Sequence, residues 1–144
     1  MKGKFLLYAQ ILLIVLLFYF GNFAQIFKNP SLALIFATGV LLALYSFYNL
    51  GLDTFTPFPE PKKEGKHVQS GAYKYMRHPM YLAIVVIGLS LLLSSPSFTA
   101  AVIYLLLIYA LDAKATLEEG FLTKLHPTYK TYAQKTKKFI PYIY

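Results

Sequence analysis

The chain has 144 residues, 57% of them hydrophobic and only 14% charged, with a mean hydropathy of +0.51 and a formal net charge of +8. That composition is far from a soluble domain. With no cysteine, disulfides, thiolate metal sites and cysteine nucleophiles are excluded.

Three uncharged runs organise the sequence: residues 5–27, 29–52 and 79–111. About 20 apolar residues cross a bilayer core of roughly 30 Å, so the first two runs each predict one span. As a single helix the third would reach roughly 50 Å, and Ser94-Ser95-Pro96-Ser97 interrupts it. Pro96 cannot donate a helix-interior backbone bond, so a hairpin is predicted, with arms 79–93 and 98–111 that are short for a full crossing. The fold class is an all-α integral membrane protein of about four transmembrane helices, the last two a hairpin. One domain is expected, with two N-terminal spans over 1–52 and a core over 53–144. The first run is too long for a signal-peptide core and lacks a small-residue cleavage site. Asn29-Pro30-Ser31 is disqualified for glycosylation by its proline.

Between the spans, the fourteen basic residues fall in segments of two, one, five, none and six. The rich segments include Lys62, Lys63, Lys66, Lys74 and Arg77 in the second loop. The positive-inside rule puts the N-terminus, this loop and the tail in the cytoplasm. The basic excess therefore needs no nucleic acid; anionic membrane lipids are the partners it implies. The loop, rich in proline from Thr56 to Pro61, predicts a stiff extended path. After Asp112 the tail predicts a helix with Leu117, Phe121, Leu122 and Leu125 on one face, ended by His126-Pro127. A second short segment carries Tyr129, Tyr132 and Lys135.

Polar chemistry concentrates in three places: the loop end at Arg77-His78, the pair Glu118-Glu119, and the tail. No Gly-x-Gly-x-x-Gly or phosphate-loop motif occurs, and no histidine pair has metal-ligand spacing, so no metal is expected. Taken singly, each feature has a plain structural account. Arg77 and His78 could anchor to head groups, the glutamates could be solvated, and the tyrosines could form an interfacial belt.

Gly71-Ala72-Tyr73, Arg77-His78-Pro79-Met80-Tyr81, an apolar hairpin, Glu118-Glu119, Leu122, Tyr129, Tyr132 and Phe139-Ile140-Pro141 follow in that order. Together they resemble the isoprenylcysteine carboxyl methyltransferase family and its phospholipid methyltransferase relatives. The resemblance covers about residues 50–144, and its order and spacing are specific. It implies an integral membrane methyltransferase using S-adenosyl-L-methionine. On that resemblance His67, Val68, Tyr73, His78, Pro79, Met80 and Tyr81 would bind the cofactor. Glu118 would hold it, with Glu119 as the close alternative. Lys114 would stand where an arginine faces the substrate's carboxylate, and Lys135 where a tail arginine is frequent; with Arg77 these form the catalytic set. Lysine keeps the charge but lacks the planar two-pronged grip. Leu125-His126-Pro127 replaces the family's Phe-Gly at the tail turn.

The chemistry of the donor agrees with those roles. A carboxylate suits its amine or ribose, an aromatic face suits its sulfonium, and the α-helix N-terminus at Pro79 suits its carboxylate. A lipophilic or prenylated acceptor would enter sideways, between the hairpin and the first two spans. Two other classes fit parts of the sequence. Membrane sterol reductases share an Arg-His-Pro-x-Tyr region but bind NADPH and are longer. A non-enzymatic small membrane protein would explain the spans but not the clustered polar motif.

Overall fold

A computed structural model describes residues 2–62, 65 and 67–144, so Lys63 and Lys66 of the basic loop lie outside the described residues. Among the described residues the elements are all helical: α1 (Lys2–Phe20), α2 (Phe23–Lys28), α3 (Pro30–Leu50), a 3-10 turn (Gly71–Lys74), α4 (Pro79–Ser94), α5 (Phe98–Leu125) and α6 (Tyr129–Lys135). Three of them, α1, α3 and α5, are long and apolar enough to cross a membrane, with mean hydropathies of 2.0, 1.9 and 1.7. At 16 residues α4 is the short member, about 24 Å long.

The first uncharged run is divided. α1 stops at Phe20, and Asn22 caps α2 by accepting from the Gln25 N–H. Asn29 then caps α3 through the N–H groups of Ser31 and Leu32, with Pro30 in the first turn where its missing N–H is harmless. The tail helix expected after Asp112 is not separate. α5 runs unbroken for 28 residues, about 42 Å, so its last turns project beyond the apolar core and carry Glu118 and Glu119 with them. Nothing in Ala110 to Thr116 breaks a helix, and charge alone moves the chain from lipid to water without altering its backbone.

Adjacent helices run antiparallel. Gln10 of α1 faces Lys114 of α5, while Leu17 and Leu107 meet lower in the core. Leu32 of α3 faces Ser90 of α4. Lipid is as apolar as leucine, so helix cohesion here comes from close packing and a few buried polar contacts rather than from the hydrophobic effect. Gly39 permits the closest approach: a Cβ there would sit 2.6 Å from Ile87 Cγ1 on α4. Ser90 Oγ donates to the Leu32 carbonyl at 2.9 Å, and Tyr104 Oη to that of Val85 at 3.1 Å. Each such bond contributes about 0.6 kcal/mol in membrane bundles. The outer faces stay apolar and exposed, as at Phe5, Leu41, Phe98 and Leu105, which is what a lipid solvent requires.

One end of the bundle gathers the N-terminus, the loop 51–78 and the tail. Gly71 sits there with φ of +60°, and a Cβ on it would collide with the Asn49 side chain at the end of α3. This turn delivers Tyr73 to the bundle end. Left-handed backbone costs an L-residue about 1–2 kcal/mol before any clash. Gly71→Ala is therefore expected to lower the melting temperature in detergent while leaving helical circular dichroism at low temperature intact. An unchanged melting temperature would contradict this account of the turn.

Candidate functional site

Arg77 and His78 are placed by main chain first. The Arg77 and His78 N–H groups donate to the carbonyls of Lys137 and Lys138 at 2.8 and 3.0 Å, beside a parallel bridge between Met76 and Lys137. The tail thus lies along the strand-like entrance to α4. Lys138 pins its far side, with Nζ 2.5 Å from Asp112 Oδ1 and 2.8 Å from Thr116 Oγ1 on α5. Phe139 closes over the His78 and Tyr81 rings, at 5.9 and 6.5 Å between centroids.

The two adjacent glutamates do different work. Consecutive residues on a helix point about 100° apart, so the two carboxylates close on different hydrogen-bond donors, although the His78 ring lies near both, its Nδ1 3.8 Å from Glu118 Oε2. Glu119 Oε1 takes both Arg77 Nε at 2.7 Å and His78 Nε2 at 2.9 Å. Glu118 Oε2 accepts from Tyr81 Oη at 2.6 Å. Arg77 is further occupied by the carbonyls of Ala133 and Thr136 in the tail. Its guanidinium is therefore a clamp joining loop, α5 and tail.

Two adjoining hollows open beside this clamp. The larger, of about 230 Å³, is lined by Tyr73, His78, Met80, Tyr81, Lys114 and Glu118 together with residues of α1 and the proline loop. The smaller, of about 80 Å³, is lined by His67, Val68, Leu122, Tyr129 and Tyr132. Tyr73, Arg77 and Glu118 border both. Of the residues picked from sequence, Pro79 is buried in the first turn of α4 and Glu119 is turned to the clamp; neither is among the lining residues. Lys135 also stands apart, exposed on α6. The inward face of α6 is taken by Tyr129, Tyr132 and Thr136, all buried at helical spacing, which leaves Lys135 pointing away. The N-terminus of α4 has fewer spare donors than expected, because Pro79 has no N–H, the His78 N–H bonds to the Lys138 carbonyl and the Tyr81 N–H bonds to the His78 carbonyl.

Sequence reasoning passed over Gln10, Leu50, Phe55 and Thr56 as lining residues. Gln10 did leave a signal, as the one amide within α1.

The walls are polar but not uniformly charged. Burial, reinforced by Glu118, raises the Tyr73 phenol well above its usual value; burial pushes Tyr132 up to about 12. Both remain donors at neutral pH, and Tyr132 Oη donates to the Tyr73 carbonyl at 2.5 Å. His67 stacks 5.6 Å from His126 and lies edge-on to Tyr132 at 4.7 Å. Gln69 donates to its Nδ1 at 3.0 Å, which puts the neutral ring's proton on Nε2. That Nε2 is buried and has no hydrogen-bond partner among the described residues.

Two predictions follow from this geometry. Glu119→Gln weakens two charge-assisted bonds, each of a kind contributing about 1.5–3 kcal/mol. Limited proteolysis should then cut the tail faster than in Glu118→Gln; equal rates would refute the clamp. His67 is held below its ordinary value of 6.5 by burial and then by His126. A depressed histidine stabilises the fold above the unfolded value, and that contribution is lost as pH falls through the folded one. Melting temperature should decline on acidification below about pH 6.5, with a smaller decline in His67→Gln.

The family model for phospholipid methyltransferase matches residues 31–129. No curated protein and no solved structure matches the chain. The matched segment includes α3, the whole loop, the hairpin and both glutamates. The chain belongs to the phospholipid methyltransferase family, within the isoprenylcysteine carboxyl methyltransferase-like group, and is a membrane methyltransferase.

Proposed function

We propose that the protein transfers a methyl group from S-adenosyl-L-methionine to a lipid or isoprenylcysteine-like carboxylate at the cytoplasmic membrane interface. The observation that carries this reading is Glu118, a carboxylate on the wall shared by both hollows and oriented by Tyr81. The chain's own residues fit the donor. Glu118 meets an amine or ribose hydroxyl; the rings of Tyr73, Tyr129 and Tyr132 offer flat faces for a base or a sulfonium. The buried Nε2 of His67, without a partner among the described residues, supplies a donor among those rings. When bound, the donor supplies an electrophilic methyl group that leaves behind a neutral thioether.

A carboxylate acceptor is already ionised at neutral pH and needs no general base. The protein's task is then alignment, which supplies roughly 7–11 kcal/mol in favourable cases. Lys114, on the cavity wall one helical turn before Glu118, is the cation to orient such an acceptor. An apolar groove lined by Ile14, Leu17, Ile84, Ile87, Gly88 and Leu91 shares Ile84 with the larger hollow, giving a lipid chain a path from the membrane core to the site. The donor side is assigned to the cytoplasm because the loop and tail carry most of the basic residues. Family membership favours this over an NADPH-dependent reductase of the sterol reductase type.

The direct test is S-adenosyl-L-methionine binding to purified protein in detergent or nanodiscs. Glu118→Gln should weaken binding at least about tenfold, the scale of one lost charge-assisted hydrogen bond. NADPH should not compete. Unchanged donor affinity in the variant would remove the basis of the assignment. Gly88→Leu, which intrudes on the apolar groove, should raise the KM of a long-chain acceptor while sparing donor affinity.

A further inference from the structure

Gln10 is the only amide or charged side chain in residues 5–20, and it lies about 12 Å along α1 from Lys2. It is buried at 8% exposure, and its Oε1 accepts from Lys114 Nζ at 2.8 Å. Lys114 is itself only 3% exposed, and its Nζ stands 5.2 Å from the Tyr81 ring centroid. Among the described residues no carboxylate lies within ion-pair distance of that ammonium. Glu118, the nearest in sequence, is held instead by Tyr81.

A buried cation without a neutralising acid is costly by several kcal/mol. An ionisable side chain within an apolar membrane helix is rare, and where it occurs it commonly marks a substrate path rather than cohesion alone. Both residues line the larger hollow, beside Leu7 and Ile84 at the mouth of the apolar groove. Gln10 takes one of the three ammonium donors; its own amide N–H groups belong to the same wall. The result is a neutral amide beside a cation that no acid touches, which Glu118 offsets only from across the Tyr81 ring, at the end of a lipid path.

We propose that Gln10 is a specificity-determining residue, which together with Lys114 forms the subsite for the anionic head of the acceptor. This deepens the methyl-transfer reading and rests on it for the identity of the acceptor. Its content is that α1, outside the residues 31–129 matched by the family model, completes the site. It also says why the residue is glutamine: a glutamate would neutralise Lys114 and repel an anionic head, and an apolar residue would leave the ammonium unsupported. An amine acceptor, cationic near neutral pH, is disfavoured here.

The experiment compares N-acetyl-S-farnesylcysteine with its carboxamide as ligands of the detergent-solubilised full chain. The two share shape and chain and differ in charge. Wild type should bind the carboxylate at least about tenfold more tightly. Gln10→Glu should abolish that preference while the melting temperature holds or rises, because a new ion pair forms with Lys114. Gln10→Met should reduce the preference and lower the melting temperature. A purely structural Gln10 would give the opposite pairing, with preference unchanged whichever way stability moved. The proposal is overturned if wild type does not prefer the carboxylate, binding of neither ligand included, or if Gln10→Glu retains the preference. S-adenosyl-L-methionine affinity, measured in parallel, separates the two readings. Loss of donor binding in every protein would defeat methyl transfer, whereas the carboxylate preference decides Gln10.

Discussion

The bifurcated contact of Glu119 with Arg77 and His78 is the constraint on which the site depends. It joins the loop before α4 to the extension of α5 across residues far apart in sequence. Through Arg77 it also holds the tail, whose carbonyls at Ala133 and Thr136 complete the guanidinium's coordination. The loop end before α4 and the tail are thereby both fixed to the projecting end of α5. Because Glu119 is consumed in this way, its neighbour is released: Glu118, turned by one helical residue, faces the hollows. An acidic pair that reads as a redundancy is a division between holding and presenting.

Much of this was legible from sequence, and for identifiable reasons. The lipid solvent enforces uncharged runs, so the spans and the hairpin break at Ser94–Ser97 could be read directly. Charges at the edge of an apolar span are costly and usually serve a ligand, so Arg77 and His78 stand out on physical grounds. Glu118 and Glu119 join them in sequence only through the family resemblance. Which glutamate faced the cavity was not legible, because it depends on the rotation of α5 about its axis. Nor was the continuity of α5, since a drop in hydropathy at Asp112 resembles a boundary although the backbone has no reason to stop. The outward direction of Lys135 on α6 was not legible for the same reason, since the buried face of that helix is taken by Tyr129, Tyr132 and Thr136. Gln10 is the one amide of α1, but its contact with Lys114 is set by the antiparallel register of α1 against α5 and could not be read from sequence.

Lys114 and Glu118 are one turn apart on the same helix and carry opposite charges, a spacing at which such residues commonly pair. Here they do not. Tyr81 stands between them, its ring face toward the Lys114 ammonium and its hydroxyl bonded to Glu118. His78 stacks on that ring at 5.2 Å and nearly parallel, so the phenol cannot readily swing aside. A direct ion pair would satisfy both charges and leave the hollow with nothing to bind. By holding Tyr81 in place, the clamp at His78 keeps an anion and a cation separately available within one cavity. On the proposed reading, such a pair of unmatched walls, both borne on α5, would serve a polar donor arriving from water and a lipid acceptor arriving from the bilayer.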